Sequence, residues 1–233
     1  MRLLSLDTST KRVCLCLCDH ARVCEYTLEV GTRLSSLLIP IIQQATGAMG
    51  WKLKDIDYFA CGIGPGSFTG LRIGIAAVKG MAWSLQRPVV GIPTLDILAH
   101  NAERFEGIIV PLIDAKRSLV YSALYKNSKG RLARISPYML CTPDALVDAI
   151  ARKAVRRQEV IAFGDGLAVC REKIVAGIKR AVLLDKDYWQ IAALRIARLA
   201  EGMIKEKRIT DASRILPLYL YPKECQVKKK GQG

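Results

Sequence analysis

Histidine is nearly absent: the 233-residue chain holds two, His20 and His100. No His-Glu-x-x-His or His-x-x-x-His pair occurs, which excludes a histidine-ligated metal centre and, with it, a metalloprotease. Signature loops are missing too. No Gly-Lys-Ser/Thr closes a phosphate loop, no Gly-x-Gly-x-x-Gly opens a dinucleotide fold, and no Gly-x-Ser-x-Gly elbow presents a nucleophile. Long hydrophobic runs are lacking: stretches such as Gly107–Ile113 and Phe59–Ile63 fall far short of the ~20 residues that span a bilayer. The start, Met1-Arg2-Leu3-Leu4-Ser5-Leu6-Asp7, meets an acid too early for a signal-peptide core, so a cytoplasmic chain without a membrane partner is expected. In that reducing compartment the eight cysteines are expected to be thiols.

What is present is ordinary globular composition, 51% hydrophobic and 24% charged, with a net charge of +15. The excess is lopsided. Residues 1–103 carry 10 basic and 8 acidic side chains; residues 104–233 carry 26 and 13. Such an imbalance suits either a polyanionic partner facing the second half or a generally solvated basic surface.

Hydrophobic patterning divides the chain into two passages of one grammar. In the first, strands are expected at Leu3–Asp7, Val13–Cys18 and Val23–Leu28, then a helix from Leu34 stopped by Gly47. A strand at Tyr58–Gly62, a helix at Phe68–Leu85, a strand at Pro88–Ile92 and a helix at Leu95–Arg104 follow. In the second, strands are expected at Ile108–Asp114, Leu119–Tyr125 and Leu132–Tyr138, the last two separated by the turn Asn127-Ser128-Lys129-Gly130. A helix at Pro143–Lys153 capped by Thr142, a strand at Val160–Phe163, a helix at Leu167–Lys179, a strand at Ala181–Leu184 and a helix at Trp189–Arg208 complete it. The duplicated order predicts an α/β chain of tandem ribonuclease-H-like subdomains, the actin-like ATPase arrangement, each a mixed sheet with flanking helices. The expected divisions are 1–103, 104–222 and a basic tail at 223–233 expected to be disordered.

Four features could carry chemistry. Asp7-Thr8-Ser9-Thr10 lies between two strands, where small hydroxyl residues and free backbone N–H groups can hold a phosphate and Asp7 can orient hydrated Mg²⁺. An unliganded β-turn fits the same residues. The segment Gly62–Gly74 makes a glycine-rich strand-to-helix turn with Ser67 as N-cap. Gly70, Gly74 and Ala77 then put small residues on one side of the helix, and each interior glycine costs about 1 kcal/mol relative to alanine. Close approach of another backbone, within the chain or from a second subunit, would offset that cost. Cys14, Cys16 and Cys18 alternate onto one strand face without zinc-ribbon spacing and are expected in the core, with Cys24 and His20 nearby. Finally, Arg152-Lys153, Arg156-Arg157, Lys179-Arg180 and the cations from Arg195 to Arg208 suit phosphate contact or a solvated helix face.

Taken in order, Asp7-Thr8-Ser9-Thr10, Gly64-Pro65-Gly66-Ser67-Phe68-Thr69-Gly70-Leu71-Arg72-Ile73-Gly74, Pro88-Val89-Val90-Gly91-Ile92, Asp114-Ala115-Lys116-Arg117…Val120-Tyr121 and Pro217-Leu218-Tyr219-Leu220 resemble the TsaB (YeaZ) family along nearly the whole chain. The resemblance implies a role in making N6-threonylcarbamoyladenosine in tRNA, as a non-catalytic subunit that binds and activates a TsaD-like transferase. It implies a TsaE-like ATPase as a further partner, a homodimer when the chain is alone, and tRNA reached only through the complex. No cofactor is expected in the isolated subunit, with ATP or ADP entering only in the complex. The interface it implies uses N-terminal helices, here Gly66, Ser67, Phe68, Thr69, Gly70, Arg72, Ile73, Gly74 and Ala77. Two departures stand out. Asp114-Ala115-Lys116-Arg117 is bulky where nucleotide-binding members of the fold carry glycine, and Leu34-Ser35 replaces the family's frequent His-Ser. The competing expectation is an ATP-dependent phosphotransferase of the actin-like superfamily using Asp7.

Overall fold

The computed structural model describes residues 1–155 and 157–221. The tail at 223–233 and Arg156 lie outside the described residues.

β1 (Leu3–Asp7), β2 (Arg12–Cys18) and β3 (Val23–Glu29) form an antiparallel meander, because only short polar turns separate them. α1 (Leu34–Ala48), β4 (Tyr58–Gly64), α2 (Phe68–Ser84) and β5 (Val89–Pro93) then add parallel strands beside β1, giving the order β3-β2-β1-β4-β5. α1 runs past Gly47 to Ala48. Its stop is Gly50 at φ +67, a left-handed conformation that glycine adopts without strain.

After α3 (Thr94–Ala99) the second sheet repeats the plan. β6 (Gly107–Lys116), β7 (Leu119–Ser122) and β10 (Met139–Cys141) meander, and α4 (Pro143–Lys153), β11 (Val160–Phe163), α5 (Leu167–Gly177) and β12 (Ala181–Leu183) complete the order β10-β7-β6-β11-β12. Both sheets thus place their first strand centrally, the second and third antiparallel on one side, and two parallel strands on the other. That shared order makes each half a ribonuclease-H-like unit and the pair an actin-like fold.

The expected strand Leu119–Tyr125 is two, β7 and β8 (Tyr125–Ser128), and Leu132–Tyr138 is replaced by β9 (Arg131–Arg134) and β10. The break at Ala123–Leu124 is held by Leu124 N–H donating to Ser136 Oγ at 2.8 Å and by Ile135 N–H donating to Leu124 O at 2.8 Å. Pro137, which cannot donate to a ladder, separates β9 from β10. Three helices are shorter than their periodicity suggests. α3 gives way after Ala99 to a single 3-10 turn, α5 ends at Gly177, and the last helix, α6, spans Ala193–Lys205.

The first sheet is built from residues 3–93 and the second from residues 107–183, while α6 crosses back to the first sheet and α3 lies between the two. α6 packs on the first sheet, where Ile196, Ala197 and Ala200 meet Leu3, Cys14, Cys16, Cys18 and Ile92. α3 packs against both sheets: Leu95, Leu98 and Ala99 join Ile109, Tyr121 and Phe163 of the second, and Ile97 joins Leu3, Val90 and Ile92 of the first. Helix packing of this kind buries apolar surface across the halves, at about 25 cal/mol per Å². A carboxylate clasp adds to it: Asp96 accepts hydrogen bonds from Tyr125 at 2.6 Å and Tyr138 at 2.8 Å. The cysteine face of β2 is therefore core; the described cysteines are free thiols, and burial pushes Cys14 up to about 12.

Candidate functional site

The turn after β1 sits against the first turn of α2, and the side chains of Asp7, Thr8, Ser9 and Thr10 are all hydrogen-bonded. Asp7 is wholly buried. Its Oδ1 accepts from the Ser9 backbone N–H at 2.8 Å and the Ser9 hydroxyl at 2.6 Å. Its Oδ2 accepts from the Thr94 hydroxyl at 3.2 Å, which itself accepts from Gly64 N–H at 3.2 Å. Gly62 forms the remaining wall: a Cβ there would lie 1.7 Å from Asp7 Oδ2. Burial raises the Asp7 carboxyl above its ordinary value, against the hydrogen bonds from Ser9 and Thr94. A cation organiser needs an oxygen facing the ligand. Asp7 offers none, so the expectation that it orients Mg²⁺ does not fit this geometry.

Its neighbours are occupied as well. The Thr8 hydroxyl donates to Gly70 O at 2.7 Å, Ser67 N–H donates to Ser9 O at 2.7 Å, and Ser67 caps α2 by accepting from Gly70 N–H at 3.2 Å. This interlock supplies the partner that the helix glycines require. A Cβ on Gly70 would lie 2.1 Å from Thr8 O, and one on Gly74 would lie 2.1 Å from Thr8 Oγ1. The close approach is thus internal, by the chain's own turn. Gly70 and Gly74 are buried by it and leave the expected docking surface as a correction. Of the other residues expected there, Ser67, Phe68, Thr69 and Arg72 are exposed, while Gly66, Ile73 and Ala77 are half-buried.

Between the halves lies a cavity of about 840 Å³. Ser9, Thr10 and Lys11 line one side, with Gly66 to Gly70; Asp114, Lys116, Arg117 and Asp165 line the other. Asp7 and Thr8 do not reach it. Lys116, Arg117 and Ser118 turn the chain with φ of 67, 52 and 57°, three successive left-handed residues without a glycine. Asp114 closes on this turn, accepting from Lys116 N–H at 2.8 Å and pairing with the Lys116 ammonium. Partial burial works against it, but those bonds hold Asp114 below the usual carboxylate range. Asp114 N–H donates to Asp165 Oδ1 at 2.8 Å, so the backbone that would greet a phosphate is committed to a carboxylate.

The chain's last described residues strap across the cavity. Leu218 N–H donates to Ile63 O at 2.7 Å, Arg72 Nε donates to the Tyr219 hydroxyl at 3.2 Å, and the Tyr221 hydroxyl donates to Ala115 O at 2.8 Å. Arg72 also lies 3.8 Å over the Phe68 ring, and Phe68 packs on Tyr219 at 5.2 Å. The strap's role was not legible from the sequence: its only signal is a run of alternating apolar and tyrosine residues after Pro217.

A different surface stands out on α1 and α2. Their 15 and 17 residues contain two charges, Arg72 and Lys79, in a chain that is 24% charged. On α2 the positions Thr69, Ile73, Ala76, Gly80 and Trp83 form one uncharged stripe, ending in a Trp83 that is 71% exposed; Ile39 and Pro40 of α1 are exposed as well. Loss of charge and an exposed tryptophan are the marks of an interface core.

Comparison with known proteins agrees with the geometry. Residues 29–222 match the family model described as TsaD: tRNA N6-adenosine threonylcarbamoyltransferase. The tRNA threonylcarbamoyladenosine biosynthesis protein TsaB of Bacillus subtilis is 28% identical over 98% of this chain and 97% of its own. The protein of that name from Escherichia coli is 34% identical over 56% of this chain and 57% of its own. The solved structure of YeaZ from Pseudomonas aeruginosa superposes with a TM-score of 0.79 at 29% identity, over 94% of this chain and 99% of that one. With a family model matched over most of its length and relatives along nearly the whole chain, the chain belongs to this threonylcarbamoyltransferase family, as a TsaB (YeaZ) member.

Proposed function

We propose that this chain acts in the synthesis of N6-threonylcarbamoyladenosine in tRNA as a non-catalytic subunit that binds and activates a TsaD-like transferase. The observation that carries the reading is the contrast between two surfaces. The carboxylate at the end of β1 is walled in by Ser9, Thr94 and Gly62, while α1 and α2 offer a nearly charge-free face with Trp83 at its edge. A protein whose reactive position is closed and whose helices carry an interface composition is suited to holding a partner. The names of the relatives in Bacillus subtilis and Escherichia coli supply the pathway. In this reading a TsaE-like ATPase joins the pair, ATP or ADP enters only with it, and the same helical face pairs two copies when the transferase is absent.

The test is co-purification with the transferase. Ala76→Glu and Gly80→Glu place a charge on the exposed stripe, where a Cβ at Gly80 meets nothing within 4 Å. Both variants are expected to fold with native stability and to lose the heterodimer and the modification activity of the mixture. Retention of full heterodimer by both would refute the docking face.

A further inference from the structure

A second surface remains once the cavity and the helical face are accounted for. β6, β11 and β12 are parallel, so their first residues lie together at one end of the second sheet: Val160 is opposite both Ile108 and Ala181. The C-terminus of α4 and the residues that follow α5 arrive at that same end, bringing Arg152, Lys153, Arg157, Lys179 and Arg180, all exposed. The antiparallel strand β8 also finishes there, because Gly107 is opposite Asn127 and Ile108 opposite Lys126. The β8–β9 hairpin therefore adds exposed Lys126, Lys129 and Arg131. The acids placed beside them are Glu106 and Glu159, each one residue ahead of its strand, and Asp148, one turn before Arg152 on α4; Glu103, whose carbonyl accepts from Asn127, is paired with Arg195. Eight cations thus stand against three unpaired acids, and none of the eight is in an ion pair among the described residues.

Helix dipoles favour Arg152 and Lys153 in the last turn of α4. No such cause applies to the hairpin cations, whereas Arg180 also donates to the Arg157 carbonyl at 2.6 Å. Two separate elements have converged on one unneutralised rim, and unneutralised positive charge held on a rigid sheet end is suited to a chain of phosphates. β6 runs its 10 residues from this rim to the cavity, so the two sites are about 30 Å apart at ~3.3 Å per residue. The rim is therefore separate from the cavity.

We infer that this rim is a direct contact for the RNA phosphate backbone, made by this chain itself and not only by its partner. The inference rests on the proposed function for the choice of RNA as the polyanion. Each engaged cation releases counterions, so affinity must fall with salt at a slope of about −0.9 per phosphate on a duplex stem. The contact carries no sequence preference and positions the tRNA body while the modified base is handled elsewhere.

The test is fluorescence anisotropy of the full chain, without partners, against a labelled unmodified tRNA transcript from 50 to 200 mM salt. Two charge-reversal variants are compared, Arg152→Glu/Lys153→Glu/Lys179→Glu and Lys126→Glu/Lys129→Glu/Arg131→Glu, with Lys52→Glu/Lys54→Glu/Arg214→Glu, at exposed positions away from the rim, as a reversal of equal size elsewhere. Each rim variant is expected to bind tRNA at least 10-fold more weakly at 100 mM salt and to flatten the slope by about 2 to 3, with the control unchanged. Equal losses in all three variants, or an unchanged slope in the rim variants, would overturn the contact. Heterodimer formation with the transferase is measured in parallel. If the rim variants lose the partner and keep tRNA, the rim is a protein-docking surface and the inference fails, while the docking-face variants separately decide the proposed function.

Discussion

Gly74 and Gly80 occupy the same helix, six residues apart, and substituting each by alanine should move stability in opposite directions. At Gly80 a Cβ meets nothing within 4 Å, so Gly80→Ala gains only the helix preference of alanine, about 1 kcal/mol. At Gly74 the same gain is opposed by Thr8. The new methyl carbon would sit 2.1 Å from Thr8 Oγ1 and 3.2 Å from Leu6 Cδ1. Overpacking of this kind costs about 1–3 kcal/mol. Displacing Thr8 also breaks its 2.7 Å bond to Gly70 O and strands a buried hydroxyl, about 1–3 kcal/mol more. The net is destabilisation of about 1–5 kcal/mol. For a chain of this length 1 kcal/mol moves the melting temperature by about 2–4 °C, so Gly74→Ala should melt several degrees low and Gly80→Ala about 2–4 °C high. Urea denaturation of both, and of Thr8→Ala and Thr8→Ala/Gly74→Ala, closes the argument. With the hydroxyl removed, Gly74→Ala should cost at least 1 kcal/mol less than it does beside Thr8. A stabilising or neutral Gly74→Ala in the presence of Thr8 would show that the turn does not hold the helix as described.

Asp7→Asn should fold and should alter the pH profile. Because burial raises the Asp7 carboxyl, the folded state holds its proton more tightly than the unfolded chain, so wild-type stability declines as pH rises from about 3.8 through the raised value. The asparagine variant should lack that component of the decline, and superimposable thermal-melting profiles from pH 4 to 8 would contradict it. Tyr125→Phe removes a 2.6 Å bond to the Asp96 carboxylate and should cost about 2 kcal/mol in urea, with Tyr138→Phe similar; no loss in either would mean the clasp does not hold the halves. Cys14, pushed up to about 12 chiefly by burial and also by Asp7, should resist iodoacetamide at pH 8 in the native protein and react on unfolding, as followed by mass spectrometry. Rapid native labelling at Cys14 would place β2 outside the core.

The duplicated sheet was legible because it is written locally: β1, α4 and β11 begin and end at the predicted residues, each bounded by a turn, a cap or a glycine. The Ser67 and Thr142 caps were visible for the same reason. What stayed hidden depends on distant partners. Nothing in the sequence near Gly74 says that its space is filled by Thr8, and nothing near Asp7 names Thr94 or Gly62 as its lid. The crossing of α6 to the first sheet was equally out of reach, since an amphipathic helix specifies that it is covered and not by which sheet. The break at Ala123–Leu124 depends on bonds to Ser136 and Ile135, again distant partners, whereas the break between β9 and β10 is marked locally by Pro137. The uncharged face of α1 and α2 is legible in the sequence as two adjacent helical segments whose charges are limited to Arg72 and Lys79.

The central claim, that this chain promotes a reaction it does not perform, is tested most directly by reconstitution. tRNA, threonine, bicarbonate, ATP, the enzyme that makes the threonylcarbamoyl adenylate and the TsaE-like ATPase are combined with the TsaD-like transferase alone, with this chain alone, or with both, and the modified nucleoside is quantified by mass spectrometry. The account predicts product only when both are present, and its loss with Ala76→Glu. Modified tRNA formed at an undiminished rate without this chain, or by this chain without the transferase, would contradict it.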